Sequence, residues 1–142
     1  MKPNLNFLGK LDFIGLFLLR FGLGGTIAFH GYPSLIGGSD VWKQTGRGIN
    51  ALNIVELDPN VYLALGICSA LIQVLGGAAV IIGFYTRASA LLVSIVIAFA
   101  IANMFQNGDT LLHAIFGAQL GLAFLGLAFI GPGRLSLDRK GL

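Results

Sequence analysis

The sequence predicts an all-α integral membrane protein, folded as a four-helix transmembrane bundle with one longer loop between the first two helices. Of its 142 residues, 56% are apolar and only 11% are charged, whereas about a quarter of the residues in a soluble domain are charged. Four apolar stretches are long enough to cross the membrane, which takes roughly 20 residues as a helix. A β-barrel would instead show short alternating segments. We expect a single domain over residues 1–142.

Capping and turn residues mark the ends of the predicted helices. Asp58 followed by Pro59 is an N-cap with a proline in the first turn, which starts the second helix. The segments 107–109 (Asn-Gly-Asp) and 131–133 (Gly-Pro-Gly) interrupt the chain after the third and fourth helices. The four helices are therefore predicted at about residues 13–30, 59–84, 88–105 and 110–130.

The connection from Gly31 to Leu57 is the one long loop, and long loops are usually functional or mobile. Ser39 or Asp40 is predicted to cap a short helix that carries Trp42. Tryptophan prefers the membrane interface, so this helix is expected to lie flat there.

The chain has 21 glycines, and small residues let helices approach closely in lipid. Gly117 and Gly121 form a G-x-x-x-G pair on the fourth helix, and Gly76 and Gly77 lie together on the second. Packing within the bundle is the expected role, and contact between copies is the alternative.

Lysine and arginine distribution predicts the orientation, because cytoplasmic loops are enriched in both. Six of these residues lie on the side of the two termini and the turn between helices two and three: Lys2, Lys10, Arg87, Arg134, Arg139 and Lys140. Only Lys43 and Arg47 lie on the other side. Both termini are therefore predicted to be cytoplasmic and the long loop periplasmic.

Composition also limits the chemistry. The net charge is +3, but no basic run forms the patch that a nucleic acid would need. The single cysteine, Cys68, cannot form a disulfide within the chain. No metal site is predicted, because no His, Cys, Asp and Glu residues stand at ligand spacing. No catalytic residue is assigned, because no serine in the helices has a base nearby.

Polar side chains within a membrane span are costly and mark candidate functional groups. The predicted topology brings His30, Asn103 and His113 to one periplasmic layer, from three helices. Together they predict a pocket for a quinone or another small apolar ligand. The full set of candidate ligand-binding residues is His30, Tyr32, Trp42, Gln73, Asn103, His113 and Gln119.

Simpler interpretations remain open for these residues. The glutamines would form interhelical hydrogen bonds, the histidines would contact water or headgroups, and Arg20 would extend to the cytoplasmic headgroups. Ligation of a haem by His30 and His113 is disfavoured, because two histidines are the bare minimum. Proton or ion conduction is weaker still, because no carboxylate falls inside a span.

Three motifs resemble the DoxX family of membrane proteins. They are His-Gly-Tyr-Pro-Ser-Leu at 30–35, Gly-Phe-Tyr-Thr-Arg at 83–87, and Gly-Pro-Gly-Arg-Leu-Ser-Leu-Asp at 131–138. The resemblance implies a four-helix inner-membrane protein linked to redox chemistry. Two positions depart from the family pattern: Ser34 replaces a lysine, and Gln73 replaces a frequent glutamate. Glutamine forms hydrogen bonds but cannot titrate, which weakens a proton-coupled catalytic role.

Together these observations predict a subunit or a quinone-binding or small-ligand-binding partner in a redox-linked membrane complex, with other subunits as partners. Two alternatives remain. The chain would be a purely structural accessory subunit, or a quinone-reducing oxidoreductase subunit of the thiosulfate:quinone type.

Overall fold

The computed structural model describes residues 11–48, 56–106 and 111–139, and in these ranges the chain is helical, with no strands. The helices are α1 (Asp12–Ile36), α2 (Gly38–Arg47), α3 (Pro59–Ile82), α4 (Thr86–Gln106) and α5 (Leu111–Ile130), followed by a short 3₁₀ turn at Leu137–Arg139. Four of them, α1, α3, α4 and α5, are long and apolar enough to cross a membrane. The predicted four-helix membrane bundle is confirmed.

The start of α3 follows the predicted local signal. The Asp58 side chain accepts a hydrogen bond of 2.8 Å from the backbone N–H of Asn60, and Pro59 occupies the first turn. At the other end, Gly83 has a φ of +79° and its N–H donates to Ala79 O. Helix α3 therefore ends two residues earlier than predicted. The predicted break at 107–109 and the predicted start at residue 110 lie outside the described residues.

The predicted end of the first helix at His30 is wrong, because α1 continues through Pro33 to Ile36. The glycine and proline of the His-Gly-Tyr-Pro segment are residues that commonly end a helix. A proline in a membrane helix is tolerated, however, where neighbouring structure compensates for the backbone group it frees. Helix α2 forms as predicted, but neither Ser39 nor Asp40 caps it. It follows Gly37, which provides no side-chain cap.

Glycines set the distances at which the helices cross. A Cβ atom on Gly24 of α1 would lie 2.5 Å from Gly77 O of α3, and one on Gly77 would lie 2.6 Å from Gly24 O. Helix α2 crosses α3 closer still, because a Cβ on Gly66 would lie 1.8 Å from Trp42 O. Any side chain at these positions would push the helices apart, so α3 can pack against both α1 and α2 only with glycine there.

The G-x-x-x-G pair of α5 also packs within the bundle, as predicted. A Cβ on Gly117 would lie 3.0 Å from Ile101 Cγ1, and one on Gly121 would lie 3.2 Å from Ile97 Cγ2. Both isoleucines belong to α4. A buried cluster that includes Phe124 and Leu127 fills the space between these helices and the rest of the bundle.

Arg20 lies in the membrane span of α1 but is only 1% exposed, so the interpretation that it extends to the headgroups is wrong. Its Nη1 donates a hydrogen bond of 2.7 Å to Pro132 O, and its Nη2 donates to Leu135 O. The Nε atom has no hydrogen-bond partner among the described residues. The segment that follows α5 therefore folds back over the guanidinium and supplies carbonyl groups that replace water.

Asp138 attaches the same segment to the turn between α3 and α4 through hydrogen bonds. Its carboxylate accepts hydrogen bonds from the N–H groups of Tyr85 at 2.6 Å and Thr86 at 2.8 Å, and from Thr86 Oγ1 at 2.9 Å. In return, the Asp138 N–H donates to Gly83 O at 3.0 Å. We call Arg20, Thr86, Asp138 and the chain between residues 131 and 138 the tail lock.

Charge and hydrogen bonding stabilise the ionised form of Asp138. Burial alone would raise the pKa of Asp138, but the hydrogen bonds from Thr86 and Tyr85, together with the positive charge of Arg20, outweigh it and lower the pKa below its ordinary value. An aspartate with a lowered pKa in the folded state stabilises that state when ionised.

We therefore expect Asp138→Asn to destabilise the protein, because it removes the charge and one of the two acceptor oxygens. Losing hydrogen bonds to a charged group costs about 1–3 kcal/mol, so the melting temperature in detergent should fall. The contribution of Asp138 is present above the unfolded pKa of about 3.9 and is lost as the pH falls through the folded pKa. The difference in melting temperature between the two proteins should thus shrink below about pH 4.

Asp40→Asn is the matched control, because it removes the same charge from an exposed position on α2. It should leave the melting temperature unchanged. Equal melting of Asp138→Asn and the wild type at neutral pH would show that the tail lock does not stabilise the fold.

Candidate ligand site

The end of the bundle opposite the tail lock contains two adjoining cavities. The first, with a volume of about 290 Å³, lies between α1, α3, α4 and α5 and has mostly aliphatic walls. We call it the apolar cavity. The second, of about 350 Å³, extends under α2 and is richer in amide and hydroxyl groups. We call it the polar cavity. Each volume is close to the lower end of the range for small-molecule pockets, about 300 Å³.

Two histidines from opposite ends of the sequence line the apolar cavity. His30 lies on α1 and His113 near the start of α5. His30 also lines the polar cavity, as does Gln73 of α3. These two side chains therefore mark the boundary at which the cavities meet.

Gln73 is held at this boundary by the packing of α1 on α3. It is only 8% exposed, and a Cβ on Gly31 of α1 would lie 2.6 Å from its own Cβ. Only glycine at position 31 lets α1 lie this close. The Gln73 Oε1 atom is buried and has no hydrogen-bond partner in the described part of the chain. An unsatisfied buried acceptor is costly, and such groups call for an explanation.

Three hydroxyl groups of the cavity linings donate their protons to the backbone of their own helices. Thr26 Oγ1 donates to Gly22 O at 2.8 Å, Thr45 Oγ1 to Val41 O at 2.9 Å, and Ser69 Oγ to Leu65 O at 2.8 Å. Each of these bonds closes within its own helix, one turn back. The three oxygens keep their lone pairs, so toward the cavities they act as acceptors.

No aspartate, glutamate, lysine or arginine is among the described residues that line either cavity. Within the same ranges, no three His, Cys, Asp or Glu side chains come together as a metal site. An environment of this kind favours a neutral ligand, because a charged group without a partner is expensive to bury.

The structure brings some of the predicted residues together and separates others. His30, Gln73 and His113 share the apolar cavity, and Asn103 lines the polar one. The remaining three, Tyr32, Trp42 and Gln119, line neither cavity. That any of the seven binds a ligand stays a prediction.

Trp42 has a different contact from the one predicted for it. Its Nε1 donates a hydrogen bond of 2.8 Å to Ser34 O, which ties α2 to the end of α1. This bond helps to hold α2 over the polar cavity.

Sequence reasoning missed Thr45 and Ser69. Ser69 lies one helical turn before Gln73, so their spacing could have placed both on one face. Thr45 reaches the cavity only because α2 folds back against α3. Gly46 and Gly66, which permit this crossing, are a sign of it in the sequence.

Comparison with known families identifies the chain. The family model DoxX matches residues 15–107, which is about two thirds of the sequence and extends from α1 to the end of α4. No curated protein and no solved structure matches the chain. The motifs at 30–35 and 83–87 lie within the matched range, and the motif at 131–138 lies beyond it. The match covers most of the helical bundle, and this membrane protein belongs to the DoxX family.

Proposed function

We propose that this DoxX family protein binds a neutral quinone-type ligand in the apolar cavity, as a subunit or partner in a redox-linked complex of the bacterial inner membrane. One observation carries the proposal. Three nitrogen-bearing side chains, His30, Gln73 and His113, come from three helices to a single cavity whose other walls are mostly apolar.

The chemistry of these groups suits a flat ring that carries oxygen atoms. A neutral imidazole has one N–H donor and one acceptor nitrogen, and an amide offers both kinds of group. Quinone oxygens would accept from the imidazoles, while Ile97, Ile101 and Phe116 would contact the ring. A few placed polar groups within an apolar pocket are typical of small-molecule sites.

The packing of the bundle supports access from lipid. Helix α1 packs chiefly on α3, and α5 chiefly on α4, so the two helices that carry the histidines contact each other little. A ligand with an isoprenoid chain would reach the apolar cavity through this seam without crossing the polar surface.

We expect the ligand to be retained when the protein is purified in a mild detergent. Lipid extraction followed by mass spectrometry should detect a quinone near one equivalent, and His30→Leu combined with His113→Leu should reduce it at least about tenfold, because both ring contacts are lost. Cys68→Ala, at an exposed position outside both cavities, should retain the full amount.

Absence of quinone from the unmodified protein, with no binding of added quinone, would contradict the proposal. If the histidine variant also assembled normally into a large complex on native gels, a purely structural role would replace it. A Soret band in the same sample would indicate haem instead.

The charge distribution supports the proposed orientation. The tail lock brings the start of α1, the turn after α3 and the tail to one end of the bundle, and Arg87 and Arg134 are exposed there. The opposite end carries α2 with Lys43 and Arg47, beside Asp40 and Asp58. The end with the excess of basic residues should face the cytoplasm.

Cysteine labelling tests this orientation. In a Cys68→Ala background, a membrane-impermeant maleimide added to intact cells should modify Ser39→Cys on α2 and not Arg134→Cys in the tail. Both should react after permeabilisation. The reverse pattern would place the cavities on the cytoplasmic side and overturn the proposed topology.

A further inference from the structure

Among the residues that the structure describes, the side-chain oxygen of Gln73 lacks a hydrogen-bond donor. Its Oε1 is a buried acceptor without a partner among the described residues. Three hydroxyl groups of the cavity linings do not supply the missing proton, since those of Thr26, Thr45 and Ser69 all donate to carbonyls of their own helices. At the boundary between the two cavities, Gln73 Oε1 is therefore an acceptor that these hydroxyl groups leave open for a donor on a ligand.

We propose that Gln73 Oε1 accepts a hydrogen bond from a ring hydroxyl, so that the site prefers the reduced, dihydroxy form of a quinone-type ligand to the oxidised form. This inference rests on the proposed function, because it concerns the same cavity. Beyond that function, it specifies the redox form of the ligand that binds more tightly and the residue that selects this form.

The two forms differ in one property that this site can detect. A quinone oxygen can only accept hydrogen bonds, so next to Oε1 it would leave two acceptors facing each other. A quinol hydroxyl donates to Oε1 and still accepts from an imidazole N–H. A site built to pair with a donor rejects a ligand that lacks it, because its own buried group is left unsatisfied.

Among the described residues, neither cavity lining contains an aspartate, glutamate, lysine or arginine. Quinone and quinol are both neutral, so charge cannot distinguish them. The direction of the hydrogen bond at Gln73 can distinguish them, because only the quinol has a proton to donate. The packing of Gly31 against Gln73 Cβ limits how far the amide can withdraw from the cavity.

Direct binding measurements test the inference. The full chain is placed in lipid nanodiscs without oxygen, and the Kd is measured for a benzoquinone with one isoprenoid unit and for its quinol. We expect the quinol to bind about tenfold more tightly. Because a tenfold ratio for a two-electron couple corresponds to about 30 mV, the bound couple should also have a reduction potential about 30 mV more positive than the free couple.

Gln73→Leu should bring the ratio of the two Kd values to about one, chiefly by weakening the quinol. This variant removes a buried group that lacks a partner, so its melting temperature should not fall. Gln73→Met is a second variant of similar length without an acceptor oxygen, for use if the branched leucine does not fit. Gln119→Leu makes the same chemical change on α5 outside both cavities and should keep the tenfold ratio.

The outcomes separate the two proposals. Equal binding of both forms by the unmodified protein, or a preference that Gln73→Leu and Gln73→Met both retain, would overturn the role of Gln73 while leaving the quinone site in place. Binding of neither form would overturn both proposals.

Discussion

The close approach of α1 to α3 is the constraint on which the rest of this structure depends. Apolar side chains gain little by moving from lipid into a bundle, so helices in membranes associate through close backbone packing. Gly24 and Gly77 permit that packing near the centre, and Gly31 permits it beside Gln73. Arg20 and His30 both lie on α1, so the same contacts fix each of them relative to α3.

The two ends of the bundle differ in how their buried polar groups are hydrogen-bonded. In the tail lock, backbone carbonyls accept from Arg20, and Asp138 accepts three hydrogen bonds from the turn after α3. Such a network stabilises one arrangement of the chain. In the cavity linings, the hydroxyl groups of Thr26, Thr45 and Ser69 bond within their own helices. The amide oxygen of Gln73 has no partner among the described residues. One end therefore pairs its buried polar groups within the chain, and the other leaves an acceptor open at the proposed ligand site.

Local sequence signals were sufficient where a single segment determines the outcome. Hydropathy predicts four spans because the requirement for internal hydrogen bonds acts on each helix separately, and Asp58 caps α3 through its own first turn. The burial and hydrogen bonds of Arg20 could not be predicted in this way, because its partners Pro132 and Leu135 lie more than 110 residues away in the chain. Thr45 was missed for the same reason: no local pattern shows that α2 folds back onto α3.

Under the proposed function, an amide at position 73 would let the cavity select a ligand without using charge. A carboxylate there would be expensive to bury in a membrane span unless it were paired or protonated, and no lysine or arginine lines either cavity in the described part of the chain. Glutamine presents a fixed donor and a fixed acceptor at every pH. Selection at this position then depends on the direction of a hydrogen bond, which is a property of the ligand and not of the protonation state of the protein.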